Sequence, residues 1–260
     1  MRGTILFLGT GASTGVPVID CQCAVCRSPD PRNKRLRSSL YVSLGTISLL
    51  LDVSPDFRQQ ALLYRFRPPD GVFISHTHYD HIGGLEELRV YNFQRNAPLP
   101  CFLSKASFAS VKKMFYYHFI PRTPEGNFSA QFDFHVLNNS SGQFSFSGID
   151  MAYVSYFQGK MAVTGLRIGE FDYITDVKEY DETIFDRLAG VQTLVLSGAQ
   201  FGHSRVQLTI EEALEFRKRV GARWLYLTHL SHDIDYAQVS EKLPEDVFLA
   251  YDGCEIGFEY

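Results

Sequence analysis

The sequence predicts a layered α/β sandwich, with residues 1–260 forming one domain. Three observations carry this. Short apolar runs of strand length outnumber the helical patterns. The helical patterns lie among the strands rather than gathered at one end. The residues able to do chemistry fall directly after apolar runs, where loops at strand ends present them. No internal repeat, low-complexity tract or Pro/Gly-rich linker divides the chain.

In chain order, the first strand is expected at 4–8, where an apolar run enters a glycine turn. Strands at 40–44 and 47–51 are followed by a helix at 55–64, started by Ser54-Pro55 because proline suits the first helical position. A buried strand at 72–75 precedes a helix at 84–92, with Leu85, Leu88 and Tyr91 at helical spacing. A strand at 99–103 leads into a helix at 105–116. Strands are then predicted at 132–137, 144–146, 151–155, 162–168 and 171–175, and later at 193–196, 224–227, 247–250 and 256–258. Between these, helices are expected at 210–220, where Thr209 and Glu212 have capping-box spacing, and at 235–242.

The bulk properties exclude several classes. At 260 residues the chain can bury a substantial core, and its net charge of −4 gives no broad nucleic-acid surface. No apolar stretch is long enough to span a bilayer and the N-terminus lacks a signal-peptide layout, so the cytoplasm is the expected location. Arg27, Arg32, Lys34, Arg35 and Arg37 form one basic cluster, readable as a solvated loop or as an anion-steering patch.

Chemistry concentrates in Gly71-Val-Phe-Ile-Ser-His76-Thr-His78-Tyr-Asp80-His81-Ile-Gly-Gly84. Four strong metal ligands follow a buried strand, with the next helix expected beyond them. In an extended loop His76 and His78 can point to one side, while Asp80 and His81 face a second point close by. That pattern suits two cations and metal-assisted hydrolysis. Two carboxylates also follow buried strands. Asp176 is read as a ligand ahead of a helix cap, and Asp52 as support for the histidine loop.

Of five cysteines, three form Cys21-Gln-Cys23-Ala-Val-Cys26. An odd count at tight spacing argues against a disulfide framework and for three ligands of a structural zinc. Redox-sensing or merely buried thiols are the alternative. The fourth zinc ligand is sought in Tyr226-Leu-Thr-His229-Leu-Ser-His232, where one histidine can face the hydrolytic site and the other the thiols. Cys101 and Cys254 read as ordinary buried residues.

His76-Thr-His78-Tyr-Asp80-His81 resembles the HxHxDH signature of the metallo-β-lactamase superfamily. Leu8-Gly-Thr-Gly-Ala-Ser-Thr-Gly-Val-Pro17, the three cysteines, Arg35-Leu-Arg-Ser-Ser39, Asp52-Val-Ser-Pro-Asp56 and Thr228-His229-Leu-Ser-His232 are similar to a narrower branch. That branch includes the phosphoribosyl cyclic phosphodiesterase of bacterial phosphonate breakdown. The resemblance implies a four-layer αββα sandwich with two divalent metals at the active site, zinc, manganese or iron, and one structural zinc. By motif, His76 and His78 serve the first metal, Asp80, His81 and His229 the second, and Asp176 bridges them. Cys21, Cys23, Cys26 and His232 hold the structural zinc. The implied reaction is attack of a metal-bound hydroxide on a small or cyclic phosphate ester.

Two positions depart from the branch. Gln158, in Gln158-Gly-Lys160, stands where a metal-binding histidine is usual, and its amide oxygen is the expected substitute ligand. Gln207, before Thr209-Ile-Glu-Glu-Ala-Leu214, replaces a histidine thought to assist the phosphoryl group or the leaving group. His203 is weighed as its substitute against an ordinary surface histidine. Asp80, His203 and Gln207 are thus the candidate catalytic residues. A metal-dependent phosphodiesterase is the leading expectation, with a relative of the pyrroloquinoline quinone maturation oxidoreductase or an attenuated metal-binding module as alternatives. A small phosphate-ester substrate and no membrane partner are expected, with a homodimer left open.

Overall fold

In the computed structural model, which describes residues 1–120, 126 and 128–260, fourteen strands form two seven-stranded sheets. The strands are β1 (Arg2–Gly9), β2 (Ser39–Leu44), β3 (Ile47–Leu51), β4 (Gly71–Ile74), β5 (Leu99–Ser104) and β6 (Phe132–Leu137). The second sheet contains β7 (Ser141–Phe146), β8 (Ile149–Gln158), β9 (Met161–Ile168), β10 (Phe171–Ile174), β11 (Thr193–Ser197), β12 (Trp224–Thr228) and β13 (Val247–Leu249). The last strand, β14 (Glu255–Glu259), returns to pair with β1.

The sheets share one plan. The first runs β14-β1-β2-β3-β4-β5-β6 and the second β13-β12-β11-β10-β9-β8-β7. In each, neighbours are antiparallel on one side and parallel on the other. The parallel strands carry unbroken apolar runs because both their faces are covered.

Alternation along single strands separates the layers. Leu49 and Leu51 join the core between the sheets, whereas Leu50 packs with Phe57, Leu88 and Val111. In β11, Val195 faces the other sheet, while Leu194 and Leu196 meet Ile210, Ala213 and Phe216. Burying each such leucine contributes roughly 1.5–3 kcal/mol. The outer layers are helical: α1 (Ala24–Arg27), α2 (Phe57–Tyr64), α3 (Tyr79–Ile82), α4 (Arg89–Arg95), α5 (Lys105–Met114), α6 (Ile184–Leu188), α7 (Ile210–Val220) and α8 (Tyr236–Ser240). Residues of α2, α4 and α5 cover the first sheet, and those of α6, α7 and α8 cover the second. The predicted four-layer sandwich is the fold.

Local departures have physical causes. The helix expected at 55–64 starts two residues late, because the Asp56 carboxylate binds Arg37 instead of capping the helix. The helix expected at 84–92 is a 3-10 turn, Leu85–Leu88, leading into α4. At its start, a Cβ on Gly84 would lie 2.2 Å from the Ser54 carbonyl oxygen, so only glycine lets the histidine loop pack on residues 53–54. The 105–116 helix ends at Met114 and tightens into a 3-10 turn, Tyr116–Phe119. The short helices α1, α3 and α6 were not expected, being too brief for periodicity to reveal. The Thr209–Glu212 capping box forms as predicted, with Gly221 left-handed at the far end of α7.

Candidate metal centre

The side chains predicted to do chemistry gather at the C-terminal ends of β3, β4, β10 and β12, where open parallel sheets place their sites. Three of them sit in the left-handed region, Asp52 (φ 59°), Asp176 (φ 54°) and His229 (φ 58°). Such positions cost on the order of 1–3 kcal/mol each and mark places where the fold holds a side chain against local preference.

Asp52 organises the histidine loop. Its Oδ1 accepts the Ser75 N–H at 2.8 Å, and its Oδ2 accepts the Ser75 hydroxyl at 2.7 Å and the Tyr173 hydroxyl at 3.0 Å. His81 Nδ1 lies 2.8 Å from the same Oδ2, which fixes that nitrogen as the protonated one and frees Nε2 for the centre. Because the Ser75 proton goes to Asp52, Ser75 Oγ is left to accept from His76 Nδ1 at 3.0 Å. His76 Nε2 is thereby left with its lone pair, 3.0 Å from His78 Nδ1. One buried carboxylate therefore orients two imidazoles. Asp52→Asn should weaken cation affinity at His81 by roughly 10–100-fold. A chelator-competition titration measures this, and unchanged affinity would remove Asp52 from the orienting role.

α3 itself carries Asp80 and His81, so these candidate ligands lie within a short helix and not before one. His81 Nε2 is 3.4 Å from Asp80 Oδ2 and 3.2 Å from Asp176 Oδ2. His229 Nε2 is 3.3 Å from Asp80 Oδ2 and 3.5 Å from Asp176 Oδ1. Tetrahedral N and O donors ~2.0–2.1 Å from one cation lie ~3.3–3.4 Å apart. These side chains already have that spacing. His81 Nε2 is buried and, despite these approaches, makes no hydrogen bond, as a coordinating nitrogen should.

The charges fit as well. Burial alone would raise Asp80, but His229 and His81 outweigh it and hold the carboxyl well below its ordinary range. Asp176 is likewise held low against burial by the same histidines. Burial would depress His81, yet the Asp176 and Asp52 charges lift it above its usual value, and His229 is raised similarly by Asp176 and Asp80. Burial, aided by the His81 charge, pushes His76 down to about 3, leaving it neutral. Without a metal ion, protons on His81 and His229 supply the positive charge that a divalent cation would bring.

The cysteine loop meets the same test. His232 Nδ1 lies 3.2, 3.7 and 3.6 Å from the sulfurs of Cys21, Cys23 and Cys26. A thiolate at ~2.3 Å and an imidazole nitrogen at ~2.0 Å from one zinc lie ~3.5 Å apart. The backbone N–H of Cys26 leads in drawing the Cys23 thiol down to about 6, whereas burial pushes Cys26 up to about 11. Of the two histidines left open by the sequence, His229 faces the carboxylates and His232 the thiols.

Several expectations need correction. Gln158 does not offer its amide oxygen to the centre. Its Nε2–H donates to Asp176 Oδ1 at 2.9 Å and its Oε1 is buried without a partner. Gln207 also donates from Nε2 to Asp176 Oδ1, so it holds a carboxylate and offers no proton for catalysis. His203 is exposed on the loop before α7, where its backbone carbonyl accepts the Gln200 amide, and it does not line the cavity over the centre. Of the basic cluster, four side chains are engaged within the fold, and Arg27 is exposed. Arg37 clamps Asp56, Arg32 pairs with Asp30 and stacks on Tyr236, and Lys34 donates to the Cys26 carbonyl. Arg35, drawn down to about 10 by burial, donates to the Ser231 and Ile234 carbonyls that flank His232. Sequence reasoning missed this role for Arg35, because a buried arginine carries no local signature.

The centre opens into a cavity of about 470 Å³ lined by Ser13, His78, Tyr79, Gln158, Val206 and Gln207 with the ligands beneath. A cavity of about 520 Å³ lies elsewhere, beside Asp172, but the Arg167 guanidinium there is spent on Asp172 and the Leu188 and Ala189 carbonyls. The candidate metal-binding groups lie at the former.

Residues 48–230 match the model of the beta-lactamase superfamily domain, and this chain belongs to the metallo-β-lactamase superfamily. Within it, the fold superposes with a TM-score of 0.91 on a diphosphatase of the PhnP family, 31% identical over 99% of this chain and 98% of that one. An octanoyltransferase of Porphyromonas gingivalis is 32% identical over 96% of this chain. The chain spans half the length of that relative. Coenzyme PQQ synthesis protein B of Methylorubrum populi is 37% identical over 99 residues, a third of each chain. Zn(2+)-bound PqqB from Methylobacterium extorquens shares the fold at a TM-score of 0.72 and 19% identity, covering 97% of this chain and 99% of that one. No helix among the described residues is long and apolar enough to cross a membrane.

Proposed function

We propose that this protein is a cation-dependent hydrolase of a small phosphodiester. The observation that carries the reading is the spacing of Asp80, His81 and His229, with His76, His81 and Asp176 as an adjoining group, which suits divalent cation binding. Such a cation supplies Lewis-acid polarisation of a phosphoryl oxygen and makes water acidic enough to act near neutral pH. Asp80, His81 and His229 would hold it, while Asp176 groups with His76 and His81 on the adjoining side, next to His78. Cys21, Cys23, Cys26 and His232 would hold a structural zinc that ties the N-terminal loop to the segment after β12.

The phosphorus chemistry is supported by near full-length similarity to a PhnP-family diphosphatase. The cavity's volume of about 470 Å³ suits a small substrate. Its lining contains histidines and carboxylates but no lysine or arginine among the described residues, so a second phosphate would find no cationic side chain there. Tyr79 and Val206, both exposed at the rim, favour an uncharged, partly apolar arm. Metal-loaded protein should therefore hydrolyse bis(p-nitrophenyl) phosphate faster than it hydrolyses inorganic diphosphate. His78→Ala should cut the diester rate by roughly 10²-fold through loss of one group facing the reacting phosphoryl. Well-metallated protein inert to a broad panel of diesters would overturn the reading.

A further inference from the structure

We propose that Asp252 is a positioning residue for His229, holding the loop that braces the chain beside that histidine. The role rests on the hydrolase reading, which makes His229 a cation ligand. His81 is aimed by Asp52, but His229 has no such partner, since its Nδ1 is buried without a hydrogen bond. Its backbone also sits in the left-handed region, which persists only where the surroundings impose it. The aim of the ring therefore depends on how the adjoining chain is held. The next residue supplies the grip. The Leu230 N–H donates to the Thr10 carbonyl at 2.8 Å, and the Ala12 N–H donates to the Leu230 carbonyl at 3.1 Å. Gly11 and Leu230 thus form a parallel bridge, and the same loop carries Ser13 to the cavity.

Asp252, between β13 and β14, fixes that loop. Its Oδ1 accepts the Thr10 N–H at 2.8 Å and the Thr10 hydroxyl at 2.7 Å, and its Oδ2 accepts the Leu36 N–H at 2.6 Å. The Gly11 N–H in turn donates to the Leu36 carbonyl at 2.8 Å, so one carboxylate sets both segments against each other. Three donors meet a group that only accepts. An asparagine would turn its NH2 toward the backbone N–H of Thr10 or of Leu36, whichever way it sat. Arg35 lends its charge, but its N–H groups go to Asn33, Ser231 and Ile234. The hydrogen bonds of Asp252 are thus directed at the loop. Burial pushes its carboxyl up to about 7 against these donors, so the full set of three bonds belongs to a pH above that value.

The test is Mn(II) binding by titration calorimetry at about pH 8, on folded protein that keeps zinc in its cysteine site, with melting temperatures measured alongside. Asp252→Asn should weaken the affinity about 10-fold and retain the zinc. Thr10→Val removes the hydroxyl but keeps the bulk, and should weaken it about threefold. Thr10→Ser keeps the hydroxyl and loses a methyl, so it should melt lower yet bind manganese as the wild type does. A merely structural role would lower the melting temperatures and leave every affinity at the wild-type value, and that result would overturn the proposal. The two Thr10 variants decide the matter if Asp252→Asn folds poorly. Wild-type protein that binds manganese but hydrolyses no diester would overturn the hydrolase reading, while the affinities still judge Asp252. No manganese bound at all would overturn both.

Discussion

Asp176→Asn should reduce hydrolysis by roughly 10³-fold, about 4 kcal/mol at ~1.36 kcal/mol per tenfold. The carboxylate lies within reach of His81 and His229 and receives the amides of Gln158 and Gln207 and the hydroxyl of Thr175. An asparagine keeps the shape but removes the charge that matches a cation, and it turns an NH2 toward groups that themselves donate. Loss of rate should therefore accompany loss of bound metal at this centre, with zinc retained at the cysteines. The checks are steady-state kinetics alongside metal content, with circular dichroism to establish that the variant is folded. Turnover near the wild-type rate would mean that the cation does not use Asp176.

The largest effect on stability is expected at the other metal site. Cys26→Ser should release zinc and lower the melting temperature by on the order of 10 °C, since ~1 kcal/mol shifts a chain of this size by ~2–4 °C and structural zinc contributes several kcal/mol. Cys26 is buried, and His232 is held between carbonyls that Arg35 pins from beneath. His229 lies only three residues before His232, so loosening the loop should also weaken cation binding at the catalytic centre. Calorimetry on wild type and variant, with and without added zinc, measures both effects. An unchanged melting temperature would make the cysteines a redox or surface feature and not a structural anchor.

The legible parts of this molecule were those written in local pattern. The apolar runs of β3, β4 and β11 announced buried parallel strands, and Thr209 with Glu212 announced the start of α7. The candidate ligands His76, His78, Asp80 and His81 stand out because they fall within six residues after one strand, and Asp52 and Asp176 because each follows a strand. Contacts between distant segments were not legible. Which of His229 and His232 met the thiols was left open by spacing. The convergence of Gln158 and Gln207 on one carboxylate oxygen depends on how β8 and the loop before α7 are placed in space. The engagement of Arg37, Arg32 and Lys34 was hidden for the same reason, since Asp56, Asp30 and the Cys26 carbonyl that meet them are invisible to a count of charges.

The most direct test of the account is an anomalous-scattering map from crystals grown with Mn(II) or Zn(II). It should show a peak among Asp80 Oδ2, His81 Nε2 and His229 Nε2, and another among Cys21, Cys23, Cys26 and His232. A peak at the cysteines alone, with the histidines and carboxylates ordered around water, would contradict the cation-dependent hydrolase proposed here.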